Sequence, residues 1–218
     1  KHYKDSIISS STNILLAEIY LNMGYMHSYN GDNHASVDCY NKSIQILPKF
    51  RLPFQNKLMN LLYMFNELED KMYITRQHKL INKILVSNPT PVPKYNNKKL
   101  RLGLVSGDFI EHPVSFFINA VISNPSFDII CYSEGGIIPN GCKNIRGVST
   151  LDAVNLIKND KIDILIDCSG HTGFNRLDIF AERAAPIQIS YLGYPFTTGL
   201  KNMNYRITDS ICDNKNVS

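Results

Sequence analysis

Apolar side chains recur every three to four residues through the first third of the chain, which is the spacing of one face of an α-helix. Four segments have this pattern, and they are residues 12–27, 34–47, 54–65 and 69–86. The sequence Asn-Gly-Asp at residues 30–32 supplies a turn between the first two, and Pro48 ends the second. The pattern therefore predicts a helical region over residues 1–87.

The first two helices and their turn, residues 17–50, span close to the length of a tetratricopeptide repeat. Tyr20 stands where that pattern has a large aromatic residue, and the small Gly24 and Ser43 allow two helices to approach closely. The alternative is a helical hairpin of another kind, but most positions of the repeat fit in order. Because one repeat cannot bury its own face, we expect further repeats before it in a longer parent chain.

Residues 88–99, NPTPVPKYNNKK, contain three prolines, which disfavour both a helix and a central strand. This segment is predicted to be a linker between two domains.

After residue 99, short apolar runs alternate with segments of helical spacing. Five runs are predicted to be strands, at residues 100–106, 127–132, 162–167, 186–192 and 205–208. The helices between them are predicted at residues 114–122, 150–159 and 175–182, with a loop at 133–142. This alternation is typical of βαβ units and a mainly parallel sheet over residues 100–218.

Composition narrows the class of protein. The hydrophobic fraction of 44% and the charged fraction of 19% are ordinary for a globular protein. The net charge of +4 is scattered, so no basic stripe predicts nucleic-acid binding. No apolar run reaches the roughly 18 residues needed to cross a membrane. The five cysteines are widely spaced without CxxC pairs, which favours a reduced intracellular protein, cytoplasmic or nuclear, without a metal site.

Polar loops follow three of the predicted strands, at residues 107–112, 168–172 and 191–199. Because the carboxyl ends of parallel strands share one rim, we expect His112, His171 and the pair Thr197 and Thr198 at one cleft. A histidine there serves as an acid, a base or a hydrogen-bond donor; the alternative is that it only caps a loop or helix. Asp108 either fixes its own loop or orients His112.

Other reaction classes have little support. Asp163, within the third predicted strand, is the weakest polar candidate and is expected at an edge or facing the cleft. The chain lacks GxGxxG after its first strand, and it lacks GxxxxGK[ST] and GxSxG. A dinucleotide-dependent oxidoreductase, a P-loop enzyme and an α/β-hydrolase are therefore disfavoured.

Three longer segments resemble the O-GlcNAc transferase/SPINDLY family of protein O-glycosyltransferases. They are VSGDFIEHPVSFF, IDILIDCSGHTGFNRLDIFAERAAPIQISYLGYPFTTG and YRITDS. The resemblance covers about residues 12–213. It implies tetratricopeptide-type helical hairpins followed by a Rossmann-like, mainly parallel sheet, which is the first half of a GT-B fold and therefore an incomplete catalytic domain.

The resemblance also implies the reaction and the residues of the site. Family members transfer a sugar to Ser or Thr hydroxyls of proteins by inverting displacement, from a nucleotide-sugar substrate (UDP-GlcNAc or GDP-fucose) and without a cofactor. His112 and His171 match the family's histidines at the reaction centre, and whether His112 is a base or a positioning group stays open. The other implied residues of the cleft are Asp108, Pro113, Gly170, Thr172, Gly193, Tyr194, Pro195, Thr197 and Thr198.

The implied partners are acceptor proteins, bound through the tetratricopeptide region, and a carboxyl-terminal catalytic half with the lysine that neutralises the diphosphate. That half is missing from these 218 residues, so we expect the chain alone to bind donor poorly and to turn over little. The alternative is a non-catalytic tetratricopeptide scaffold with a degenerate α/β domain. The presence of His112, His171 and the threonine pair disfavours that alternative.

Overall fold

The computed structural model describes residues 2–64, 68–85, 91, 93–109, 111–135 and 141–213. The chain divides into two compact units, Lys1–Ile84 and Leu85–Ser218. The first unit consists of α1 (His2–Tyr29), α2 (Asn33–Ile46), α3 (Arg51–Met64), α4 (Leu68–Lys79) and α5 (Ile81–Ile84). Its helical character is as predicted, although α1 begins ten residues earlier than its apolar spacing indicated.

The predicted single helix over residues 69–86 is wrong in its second half. The chain turns at Leu80, whose N–H bonds the carbonyl of Gln77, and the short α5 follows. The last residue of that prediction, Val86, and the last residue of the preceding one, Phe65, lie outside the described residues.

The hairpin of α1 and α2 is held by small and polar residues. The Asp32 carboxylate accepts the N–H of Ala35 at 3.0 Å and caps α2. The ring of Tyr40 covers Gly24 so closely that an added Cβ would lie 2.5 Å from its edge. The hydroxyl of Ser43 donates to the carbonyl of Ala17 at 2.7 Å. These contacts confirm the predicted close approach of the two helices at Gly24 and Ser43.

His78 is fully buried on α4, with Nδ1 2.8 Å from the carbonyl of Ile74. Burial lowers the pKa of this imidazole to about 4. The hydrogen bond to the carbonyl of Ile74 raises the pKa, but by less than burial lowers it. His78 is therefore a neutral structural residue.

We expect the helical unit to lose stability as the pH falls from about 6.5 to about 4. Above this window His78 is neutral in both states, whereas within it only the unfolded chain takes up the proton. The full loss from this group is about 3 kcal/mol. Urea unfolding at a series of pH values measures it. His78→Leu should flatten the slope and the exposed His34→Leu should not; equal slopes for both variants would contradict the assignment.

The described residues of the second unit form a six-stranded sheet and three helices. The strands are β1 (Arg101–Ser106), β2 (Asp128–Ser133), β3 (Cys142–Asn144), β4 (Ile164–Asp167), β5 (Ile187–Tyr191) and β6 (Tyr205–Ile207). The helices are α6 (Pro113–Ile122), α7 (Thr150–Asn159) and α8 (Leu177–Ala181). Every strand pair is parallel and the order is β3-β2-β1-β4-β5-β6, which confirms the predicted parallel sheet.

This order places the topological switch point between β1 and β4. The chain moves outward from β1 to β3 on one side, and returns to β4 on the other. Ligands of open α/β sheets bind at such a point, beyond the carboxyl ends of the strands. The apolar core beneath it includes Leu104, Val114, Ile118 and Ile166.

Two predictions about the sheet are wrong. The segment 133–142 was predicted to be a loop, but its last residue opens the edge strand β3, which pairs Cys142 with Cys131. Asp163 precedes β4 rather than lying within it. Its carboxylate accepts the N–H of Arg101 at 2.9 Å and the amide of Asn97 at 2.8 Å, at the amino ends of the strands. It therefore has no place at the carboxyl rim.

Part of the predicted linker 88–99 hydrogen-bonds to the α/β unit. The hydroxyl of Tyr95 donates to the carbonyl of Lys158 at 3.2 Å, and the amide of Asn97 donates to the carbonyl of Lys161 at 2.8 Å. Residues 88–90 and 92 of that prediction lie outside the described residues. Within the part of the chain that the structure describes, none of the helices combines the length and the apolarity that a membrane span requires.

Candidate active site at the carboxyl edge of the sheet

The loops that follow β1 and β4 are joined at the switch point. The buried hydroxyls of Ser106 and Ser169 lie 3.0 Å apart, and that of Ser106 also accepts the N–H of Asp108 at 3.0 Å. The N–H of Gly107 points to the Ser169 hydroxyl at 3.4 Å. These bonds fix the β1 loop against the β4 loop, although sequence reasoning assigned no role to either serine.

His112 is the N-cap of α6. Its backbone is extended, with φ −146° and ψ 148°, and its Nδ1 accepts the N–H of Val114 at 3.3 Å. The hydroxyl of Ser115 donates to the carbonyl of His112 at 2.7 Å, and Pro113 occupies the first helical position, where no N–H is needed. The structure thus shows that His112 caps a helix, at the loop that follows the carboxyl end of β1.

The capping bond fixes the tautomer of His112. A backbone N–H can donate only to an unprotonated ring nitrogen, so neutral His112 carries its proton on Nε2. The ring is half-buried. His112 can therefore offer an N–H donor from Nε2 at the N-terminus of α6.

The Asp108 carboxyl lies close enough to His112 for the charge of a protonated imidazole to affect its pKa. Burial raises the pKa of the Asp108 carboxyl, and the charge of protonated His112 opposes that rise. Asp108 also contributes to the raised pKa of the Cys168 thiol, after the larger effects of burial, Asp167 and Cys131. The Asp108 carboxyl thus lies within electrostatic reach of both His112 and Cys168.

Asp167, at the end of β4, holds the β4 loop in place. Its carboxylate is 1% exposed and accepts the N–H of Ser169 at 3.2 Å and that of Gly170 at 3.0 Å. Gly170 has φ +56°, and the hydroxyl of Thr172 donates to the carbonyl of Ser169 at 2.7 Å. Sequence reasoning missed Asp167, although an acidic residue followed by Cys-Ser-Gly at a strand end is a turn signal.

His171 joins the β4 loop to the loop after β5. It is 3% exposed, its Nε2 lies 2.8 Å from the carbonyl of Thr198, and its ring meets that of Tyr194 edge-on with centroids 5.2 Å apart. Because a carbonyl only accepts, Nε2 is the protonated nitrogen. The geometry makes His171 a positioning residue between two loops.

Glycines allow these two loops to touch. A Cβ on Gly193 would overlap the carbonyl of Cys168, and a Cβ on Gly170 would overlap the side chain of Tyr194. The structure therefore brings together Gly170, His171, Gly193, Tyr194 and Thr198, five of the residues predicted for the cleft.

Thr197, Thr198 and Pro195 lie on the segment that follows β5. The hydroxyls of Thr197 and Thr198 accept the N–H groups of Gly199 at 3.1 Å and Leu200 at 3.4 Å. Both threonines line a cavity of about 190 Å³ that extends to Arg206 of β6. The carbonyl of Pro195 accepts from the Arg206 guanidinium at 3.4 Å. These threonines therefore face the β6 side of the rim.

Arg176 is the second residue that sequence reasoning missed. It is 7% exposed, and its guanidinium bonds Glu134 at 2.8 Å and Asp178 at 3.1 Å. It also donates to the carbonyls of Ile145 at 2.9 Å and Val148 at 3.2 Å. Arg176 thus ties the loops after β2 and β3 to the start of α8, behind the rim.

Comparison with known proteins places the chain in a family. The sequence profile of glycosyl transferase family 41 matches residues 43–218. The probable UDP-N-acetylglucosamine–peptide N-acetylglucosaminyltransferase SPINDLY of Oryza sativa subsp. japonica is 34% identical over 199 residues, covering 81% of this chain. The similarly described SEC of Arabidopsis thaliana is 36% identical over 126 residues, covering 51% of this chain and 13% of that protein. The chain spans about a fifth of the length of the SPINDLY relative.

A solved structure has the same fold. A mutant of the Thermobaculum terrenum O-GlcNAc transferase superposes with a TM-score of 0.78 and 22% identity, over 88% of this chain and 40% of that one. The likeness confirms the predicted fold class, in which helical hairpins precede a Rossmann-like sheet of the kind that forms the first half of a GT-B fold. With the family profile covering most of its length, the chain belongs to glycosyl transferase family 41.

Proposed function

We propose that the complete protein transfers N-acetylglucosamine from UDP-GlcNAc to Ser or Thr hydroxyls of other proteins inside the cell. The family and the printed descriptions of the SPINDLY and SEC relatives support this proposal. Transfer of fucose from GDP-fucose is the alternative within the same chemistry. Neither reaction requires a cofactor, and the described residues contain no cluster of three or more metal-ligating side chains.

One observation carries the proposal: the two strands at the switch point, β1 and β4, are followed by the two histidines, with His112 at the N-cap of α6 and His171 in the loop after β4. A parallel sheet places ligands at that point, and an imidazole there can serve a reacting oxygen. In the proposed inverting displacement, the hydroxyl oxygen forms a bond to the anomeric carbon while the carbon–oxygen bond to the diphosphate breaks. The hydroxyl proton passes to a base, and the nucleoside diphosphate leaves.

The tautomer of His112 supports the second of its two possible parts in this reaction, the positioning of substrate. With its proton on Nε2, the imidazole donates a hydrogen bond to a substrate oxygen and does not take up the hydroxyl proton while the capping bond is intact. His112 is therefore proposed to position substrate. His171 acts through the loops that it joins, since its Nε2 is committed to the carbonyl of Thr198.

The helical unit is proposed to recognise the acceptor protein as a tetratricopeptide-type surface. In support, α1 exposes Ile19, Met23 and Met26 beside a cavity of about 390 Å³ that Asn22 and Asn30 also line. The donor is proposed to bind largely to a carboxyl-terminal catalytic half of the complete protein. The 218 residues alone are therefore expected to show little transfer.

A donor screen on the complete protein tests the function. We expect transfer from UDP-GlcNAc, a loss of about 100-fold or more in kcat for His112→Ala, and an unchanged rate for the exposed His34→Ala. His112→Gln, whose amide retains an N–H donor, should recover part of the rate if His112 positions substrate. Equal losses for His112→Ala and His112→Gln would favour a base instead.

The same screen separates the alternatives. Transfer from GDP-fucose but not from UDP-GlcNAc would overturn the choice of sugar. A folded complete protein that uses neither donor would favour the non-catalytic scaffold.

A further inference from the structure

Two cysteines stand side by side at the edge of the sheet opposite β6. Cys131 of β2 and Cys142 of the edge strand β3 are partners in the parallel register, so their side chains project from the same face. Neighbouring strands lie roughly 4.7–4.9 Å apart. That spacing falls within the Cα separations of roughly 4.4–6.8 Å that disulfides span. The two thiols lie close enough that each shifts the pKa of the other.

The pair is reachable from one side. Cys131 is 6% exposed and Cys142 is half-buried, and both line a cavity of about 230 Å³. Its walls include the apolar Phe109 and Ile118, and the polar Ser115 and Asn119. A small reagent entering the cavity meets two sulfur atoms, of which Cys142 is the more exposed.

The two thiols differ in acidity. Burial raises the pKa of Cys131 to about 12, and the adjacent Cys142 adds to that rise. Burial also raises the pKa of Cys142, but the adjacent Cys131 opposes that rise. Cys142 is therefore the thiol that forms a thiolate first. The other titratable groups in reach of Cys131 are Tyr132 on the same strand and the fully buried Cys168 beside β1.

The surroundings restrict what the pair can do. No described cluster supplies a third metal ligand, so a tetrahedral metal site is not built there. The three remaining cysteines are placed differently: Cys39 in the helical unit and Cys168 are buried, and Cys212 is exposed. Two paired thiols without a further ligand leave thiol–disulfide exchange as the chemistry of the site.

We propose that Cys131 and Cys142 form a modification site that converts to a disulfide, with a low-molecular-weight disulfide as the oxidant. The Cys142 thiolate attacks one sulfur of the oxidant, forms a mixed disulfide and releases one small thiolate. The Cys131 sulfur then attacks Cys142, forms the protein disulfide and releases the second. The two cysteine protons end on the two released thiols, and the oxidant gains the two electrons that the protein loses.

The product would join the three-residue edge strand β3 covalently to β2. The cavity beside the pair also contains Ser115, whose hydroxyl bonds the carbonyl of His112. The site therefore borders α6 on the side away from the β4 loop. It stands independently of the proposed transferase reaction.

Peptide mapping tests the proposal directly. No Lys or Arg lies between Arg101 and Lys143, so one tryptic peptide, residues 102–143, carries both cysteines. We incubate the folded full chain with glutathione disulfide, quench with acid, and alkylate in denaturant. The peptide should lose the mass of two hydrogen atoms and take up no alkyl group. The rate of this change should increase with pH. Cys212 should carry glutathione, and Cys39 and Cys168 should be alkylated.

Variants separate the two roles. Cys131→Ser should leave Cys142 as a stable mixed disulfide, Cys142→Ser should leave Cys131 unmodified, and the control Cys212→Ser should still form the disulfide. Circular dichroism confirms that each variant is folded; if a serine variant unfolds, the wild-type peptide map decides. Alkylation of both cysteines after Cys212 has fully reacted would overturn the proposal. So would a disulfide that pairs either cysteine with Cys168.

Discussion

Replacing Arg176 by methionine is expected to lower the free energy of unfolding of the α/β unit by about 3–5 kcal/mol, because it leaves a buried ionic cluster without its cation. The substitution removes the partner of the carboxylates of Glu134 and Asp178, and the donors to two loop carbonyls. Equilibrium urea unfolding followed by circular dichroism measures the change. Hydrogen exchange of the β1 and β4 amides assigns it to the sheet.

The exposed Arg146 lies in the loop after β3 and offers a matched control. Arg146→Met should change the unfolding free energy by less than about 0.5 kcal/mol. Neutralising the partners as well, in Arg176→Met with Glu134→Gln and Asp178→Asn, should recover part of the loss. If Arg176→Met and Arg146→Met were equally stable, the buried cluster would have no structural role.

Gly193→Ala is expected to cost about 3 kcal/mol of stability, at the upper end of what overpacking costs. The added Cβ would overlap the backbone of Cys168 and Ser169, which cannot rotate away as a flexible side chain does. The β4 and β5 loops must then separate, and the bond between His171 and the carbonyl of Thr198 is lost with them. The unfolding free energy is the first measurement, and transfer by the complete protein is the second.

Gly173→Ala is the control on the same rim, since a Cβ there meets nothing within 4 Å. It should leave both stability and transfer near the wild-type values. If Gly193→Ala behaved like Gly173→Ala, the contact between the two loops would be unnecessary for the fold.

The periodic parts of the chain could be predicted because they repeat one signal many times. Alternation of apolar runs and helical spacing predicted five of the six strands and the parallel sheet. β3 was not predicted because it has only three residues, Cys142–Asn144, which are too few to show an apolar pattern. It also follows a segment that contains Gly and Pro and therefore resembles a loop. Its place at the edge is decided by pairing with β2, a long-range contact that no local pattern reports.

The site was predictable in position more than in detail. Loops at the carboxyl ends of strands had to share a rim, which was enough to name His112 and His171 as candidates. The tautomer of each ring depends on which backbone group it meets, and only the fold decides that. Ser106 and Arg176 escaped for the same reason, since their bonds reach groups up to 63 positions away along the chain. Asp167 is different, because its carboxylate bonds the turn that directly follows it and a local signal was present.

The bonds of Tyr95 and Asn97 to the end of α7 have a practical consequence for cutting the protein into parts. A truncation beginning at Leu100, where the first apolar run starts, would remove one donor from each of the carbonyls of Lys158 and Lys161 and one partner of Asp163. An excised α/β fragment for crystallography or labelling should therefore start upstream of Tyr95. Tyr95 and Asn97 then keep their hydrogen bonds to the end of α7 in the fragment.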